Sequence, residues 1–105
     1  VEKVVLAHVV TQGETQEEIQ EYVHAAEQKL DEARKSFDAA GIGTDIRVRL
    51  GSPSDEIIRL AEEEDVSLIV MSRHGQGWLR ELVLGSTTYL VAKRTKRPIL
   101  VVHQD

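Results

Sequence analysis

Apolar positions recur along the chain in blocks whose period changes from one block to the next. Val4 to Val10 is apolar at every position but His8, the continuous pattern of a strand covered on both faces. Thr11 to Thr15 is polar and holds Gly13, so it reads as a loop. From Gln16 to Ala40 the apolar residues are Ile19, Tyr22, Val23, Ala26, Leu30, Ala33, Phe37 and Ala40. Those steps of three and four predict one face of a long amphipathic helix, stopped by Gly41 and Gly43. Ile46, Val48 and Leu50 then alternate with Arg47 and Arg49, the period of two of a half-exposed strand at a sheet edge.

Gly51-Ser52-Pro53-Ser54 turns the chain into a second helix, with Ser52 or Ser54 as N-cap and Pro53 in the first turn. Ile57, Ile58, Leu60 and Ala61 supply its buried stripe. Val66 to Met71 predicts a buried strand, Trp78 to Leu84 a short helix or loop, and Ser86 to Lys93 a helix packing through Tyr89, Leu90 and Ala92. After Pro98, Ile99 to Val102 forms the last strand. The order β-α-β-α-β-α-β predicts an α/β fold with a parallel sheet and right-handed crossovers. With no internal repeat and no low-complexity linker, residues 1–105 read as a single domain.

Within that order one stretch carries chemistry. The run ending at Met71 leads into a loop of small residues, Ser72, Gly75 and Gly77, and Gly85-Ser86-Thr87-Thr88 then opens a helix. Strand, glycine loop and a helix start rich in hydroxyls make a phosphate cradle. Glycine permits close backbone approach, and the free amides of the first turn point at an anion.

Composition removes several alternatives. There is no cysteine, which excludes disulfides, Cys-based zinc sites and thiol nucleophiles and fits a reducing, cytoplasmic setting. A net charge of −5 argues against nucleic acid as a partner. No apolar run is long enough for membrane insertion. The four histidines, His8, His24, His74 and His103, form no pair with metal spacing. Lys93, Arg94, Lys96 and Arg97 read as a solvated group complementing a helix C-terminus, while Glu62-Glu63-Glu64-Asp65 sits where the dipole disfavours acids and has no functional account. No P-loop, nucleophile or convergent carboxylate pair points to an enzyme; at most a slow ATPase is expected.

Three segments together resemble the universal stress protein family. Gly51 to Met71 is similar to its third-helix and fourth-strand signature. His74-Gly75, nine residues, and Gly85-Ser86 are similar to its nucleotide loop, and Arg97-Pro98-Ile99-Leu100-Val101-Val102 to its final strand. The resemblance spans essentially the whole chain and implies a three-layer α/β/α sandwich of the adenine nucleotide alpha hydrolase-like kind, here with about four strands. It implies a stress-response module that binds ATP, with or without magnesium, and is gated by it. Gly75, Gly85, Ser86 and Thr88 match the family positions at the phosphates, Thr87 follows them, Ser72 falls near the ribose, and Val9 and Met71 fall at the adenine pocket. It also implies a homodimer through the last strand, Ile99, Leu100, Val101 and Val102. Two departures stand out: Ser72 replaces the first glycine of the family's Gly-x2-Gly-x9-Gly-Ser pattern, and Val4–Val10 resembles the family's second strand, leaving its first strand and helix without a counterpart. Beginning at Val1 in strand-like sequence, the chain reads as N-terminally trimmed, and Val4–Val10 is expected to pair with Val66–Met71 or accept a strand from another chain. The alternative expectation is a nucleotide-free interaction or dimerisation module, such as the regulatory piece of a transporter or sensor.

Overall fold

The computed structural model describes residues 3–11, 15–74 and 86–104. Its elements are β1 (Lys3–Val10), α1 (Gln16–Ala39), β2 (Gly43–Leu50), α2 (Pro53–Glu63), β3 (Ile69–His74), α3 (Ser86–Arg94) and β4 (Ile99–Gln104). They fall into two compact units, Val1–Pro53 and Ser54–Asp105. All strand pairing is parallel, but it forms two two-stranded sheets, β1 with β2 and β3 with β4, where the order of elements predicts one sheet. The α1 and α3 crossovers each join the two strands of one pair, while α2 links β2 to β3, which are not paired with each other.

In the first unit α1 packs on both strands. Thr15 caps it, its hydroxyl accepting the Glu18 amide at 3.1 Å, and Glu17 and Glu18 complement the positive end of the helix. At the other end Gly41 adopts φ +77°. The Ile42 amide donates to the Phe37 carbonyl at 2.9 Å and the Gly41 amide to that of Asp38 at 3.0 Å, the paired bonds of a Schellman motif. The core of this unit is centred on Val10 and Ala26. β1 is only partly covered, with Ala7 and His8 exposed, so the expectation of a strand buried on both faces fails: an uninterrupted apolar run does not reveal how many faces find a neighbour. Leu50, expected on the buried side of β2, is also exposed, because it ends the strand where Gly51 turns away at φ 139° and donates to the Val10 carbonyl.

Gly41 isolates a backbone effect, because a Cβ added there meets no atom within 4 Å. The left-handed conformation costs a non-glycine residue about 1–2 kcal/mol, offset by about 0.4–1 kcal/mol from the stiffer unfolded chain. Gly41→Ala is therefore expected to lose about 1 kcal/mol in urea denaturation; a gain in stability would contradict the Schellman assignment.

In the second unit Ala61 of α2, Ile69 of β3 and Val91 of α3 form the core, with Ile57, Ile58, Val66, Met71 and Ile99 packed around them. Pro53 starts α2, which gives the N-cap position to Ser52, while Ser54 is buried within the first turn. β3 begins at Ile69 and not at Val66. Asp65 takes φ +50°, and the Asp65 and Val66 amides donate to the Glu62 and Ala61 carbonyls at 3.3 and 3.2 Å. That is a second Schellman cap, so Val66 closes α2 before the strand can start. The ladder opens where the Ile69 amide meets the Pro98 carbonyl at 2.9 Å.

Candidate functional site

The strand-to-helix passage of the second unit places most of the sequence-derived site residues. Met71 lies in β3, half-buried against the Ala61–Ile69–Val91 core. Ser72 follows it in the strand, opposite Val102 in the β3–β4 register. Ser86, Thr87 and Thr88 form the first turn of α3. Ser86 is exposed, Thr87 half-buried and Thr88 only 4% exposed. Gly75 and Gly85, and the Trp78–Leu84 segment, lie outside the described residues. Val9 belongs to the first unit, half-buried in β1.

The charge at this helix start differs from that at the other two. α1 carries Glu17 and Glu18 in its first turn and α2 carries Asp55 and Glu56, whereas the first turn of α3 has no acid. Among the described helices, α3 alone therefore presents its amides and positive dipole end without a carboxylate of its own. Such an end favours an anion supplied from outside. Its C-terminal turn carries Lys93 and Arg94, so the dipole is compensated at one end only.

Of the basic cluster, Lys93, Arg94 and Lys96 are exposed as the sequence suggests, while Arg97 is half-buried and both arginines are paired. Arg94 pairs with Asp55 at the start of α2. Arg97 grips Glu62 through two bonds, Nε to Oε2 at 3.0 Å and Nη2 to Oε1 at 3.2 Å. It also donates Nη1 to Asp65 Oδ1 at 3.0 Å and to the Val66 carbonyl at 2.6 Å. Arg97 thus pairs with two acids of the run at the end of α2, Glu62 and Asp65, and braces the non-glycine Schellman cap. The Arg97 hydrogen bond, aided by its charge, holds the Glu62 carboxyl below its ordinary 4.5. A carboxyl lowered on folding stabilises the fold above its unfolded value, and that contribution disappears as pH falls through the folded one. Stability lost on acidification below 4.5 should therefore be smaller in Glu62→Gln than in the parent, read from urea midpoints across the acid range. Parallel acid limbs would refute the assignment.

A separate concavity lies within the first unit, a groove of about 490 Å³ between the carboxyl end of β1 and one face of α1. His8, Val9, Val10 and Thr11 form the strand side, and Tyr22, Ala25, Ala26 and Lys29 the helix side. The sequence marks Val9 as a pocket residue but gives no sign that α1 supplies the facing wall, because Tyr22 and Ala26 also fit the helix's core stripe. Among the described residues no cluster of three or more His, Cys, Asp or Glu could hold a metal ion, and no helix is long and apolar enough to cross a membrane.

Residues 2–103 match the family model described as the universal stress protein family. Universal stress protein MJ0577 of Methanocaldococcus jannaschii is 36% identical over 77 residues, 73% of this chain and 48% of that protein. Universal stress protein Slr1230 of Synechocystis is 33% identical over 93 residues, 89% of this chain and 31% of that protein. The match thus spans about half the length of the first relative and less of the second. The solved structure of MJ0577 aligns with a TM-score of 0.85 at 31% identity, covering 98% of this chain and 76% of that one. An Arabidopsis thaliana family protein solved with AMP bound (TM-score 0.69, 18% identity, 98% of this chain and 65% of that one) shares the fold. So does a universal stress protein in complex with cAMP (TM-score 0.65, 23% identity, 99% and 98%). By its sequence along nearly its whole length and by its parallel α/β architecture, the chain belongs to the universal stress protein family.

Proposed function

We propose that the chain is an adenine-nucleotide-binding regulatory module whose ligand is ATP, and that the α3 start is where its phosphates dock. The observation that carries this reading is the first turn of α3, free of acids and opened by the exposed Ser86. The amides of Ser86, Thr87 and Thr88 have no intrahelical acceptor and receive the phosphate oxygens, with the Ser86 hydroxyl as a further donor. Gly75 and Gly85 let the backbone approach, Ser72 lies at the ribose, and Met71 contributes an apolar surface to the base. Magnesium enters only as the companion of the phosphates. Relatives solved with AMP and with cAMP support an adenine nucleotide as the ligand class. Binding rather than turnover is the activity, in a single domain and a cytoplasmic setting, with bound nucleotide altering a surface seen by a partner. Calorimetry with ATP and magnesium, and with AMP and cAMP in parallel, tests this. Heat of binding for none of the three would overturn it, and phosphate release above background would make it an ATPase instead.

A second reading, a nucleotide-free dimerisation module, draws on a different observation. Val70 and Leu100 face each other in the β3–β4 register. With Val102 they leave one side of that sheet apolar and exposed, Leu100 at 52%. Ile99, one of the residues expected at the dimer contact, instead packs against the unit's own core. Leu100 and Val102 are thus the side chains available to a second copy, and such apolar patches mark interaction sites. Light scattering at high micromolar concentration is expected to show a homodimer, and Leu100→Asp to shift it to monomer. A monomeric parent chain would remove this proposal.

A further inference from the structure

We propose that the outward face of α3 is a docking surface for an acidic protein segment that carries an apolar anchor. Helical spacing puts Tyr89, Leu90 and Lys93 on one side of α3, opposite the buried Thr88 and Val91. Tyr89 is 53% exposed and Leu90 39%. Neither belongs to the core around Ala61, Ile69 and Val91, so packing within the unit does not explain them. An uncovered tyrosine beside a leucine is the kind of anchor that carries binding energy at protein interfaces. Lys93 Nζ lies 5.9 Å from the centre of the Tyr89 ring, at cation–π distance. That pairing holds ring and ammonium side by side before a partner arrives, which lowers the cost of ordering them on binding.

Charge decides the kind of partner. From Leu82 to Gln104 the sequence holds no acid but includes Lys93, Arg94, Lys96 and Arg97, in a chain of net charge −5. Arg94 and Arg97 are committed to Asp55, Glu62 and Asp65, and Lys96 adds to the positive field at Glu62. Lys93 is exposed and set beside Tyr89 instead, where it complements a carboxylate brought from outside. An anionic bilayer calls for a denser cluster, roughly four to eight lysines and arginines, and the negative chain repels bilayer and nucleic acid alike. A segment with one apolar side chain and a neighbouring acid needs only the surface present here: ring, leucine and a single ammonium.

The surface uses none of the proposed phosphate donors and does not depend on the nucleotide reading. Its test is fluorescence anisotropy of the full chain with the rhodamine-labelled peptide Glu-Glu-Leu-Phe-Glu-Glu-Leu-Phe. The same peptide with Gln for every Glu, and phosphatidylserine vesicles, run in parallel. The acidic peptide is expected to bind saturably and more tightly than its Gln counterpart. Lys93→Glu is expected to weaken the acidic peptide about fivefold while the Gln peptide changes by less than about twofold. Tyr89→Ser is expected to weaken both peptides. Both side chains are exposed, so the variants fold, which circular dichroism checks. Acidic-peptide affinity unchanged in either variant, no binding by the parent chain, or binding of the vesicles in place of the peptide would overturn the proposal.

Discussion

Ser86→Asp is expected to stabilise the chain while weakening ATP binding at least about tenfold. The two effects have one cause. Unlike α1 and α2, α3 has no acid in its first turn, so a carboxylate placed there gains about 0.3–1 kcal/mol from the helix dipole and the free amides. That same carboxylate occupies the amides the nucleotide phosphates need, and it repels them. Ser86 is exposed, so the substitution disturbs no packing. Thermal denaturation and calorimetry on one preparation give both readouts. A raised melting temperature with unchanged ATP affinity would show that α3 has an uncompensated dipole but no role at the phosphates. A lowered melting temperature would contradict the capping argument itself.

The elements were legible in the sequence wherever the apolar period was long and bounded by turn chemistry. The helix from Gln16 is the clearest case, since eight apolar positions at helical spacing end at Gly41, and the structure ends α1 at Ala39 with Gly41 as its left-handed cap. The strand at Val66 was misplaced for a physical reason: Val66 has a strand-like side chain, but its amide is taken by the Ala61 carbonyl of α2. A Schellman cap formed by Asp65 in place of glycine gives no residue signal, and it is held by Arg97, more than thirty residues downstream. Partners at that separation leave no trace in local periodicity. The same limit hid the tie between Arg94 and Asp55.

For the candidate site, local spacing was informative and long-range assembly was not. Ser86, Thr87 and Thr88 could be put in the first turn of a helix because Gly85 and a hydroxyl run announce one, and the helix starts at Ser86. Burial within that turn was not readable: Thr88 faces inward and Ser86 outward, a difference set by which side of α3 meets β3 and β4. The groove of the first unit was half visible, since Val9 was singled out while the α1 wall facing it was assigned wholly to the core. A residue such as Tyr22 satisfies a helical core stripe in sequence even when half its surface is open.

Val91→Ala should be the most destabilising of the single substitutions considered, at about 2 kcal/mol, whereas Leu90→Ala next to it should change stability by less than about 0.5 kcal/mol. Val91 is fully buried and joins α3 to Ala61 and Ile69. Removing two carbons there loses about 0.8 kcal/mol of transfer energy for each, plus the cost of a cavity that the surrounding strand and helix fill only in part. Leu90 is 39% exposed, and alanine's higher helix propensity offsets the surface it loses. Urea denaturation of the two variants separates packing from propensity on one helix. The pair also bears on the α3 site, because Val91 fixes the helix whose first turn is to receive the phosphates. Loosening that anchor leaves the Ser86 donors in place but raises the cost of ordering them. At a urea concentration and temperature where Val91→Ala remains folded, its ATP affinity should therefore fall while that of Leu90→Ala does not. Equal losses of stability in the two variants would mean that α3 is not held by the face that carries Val91.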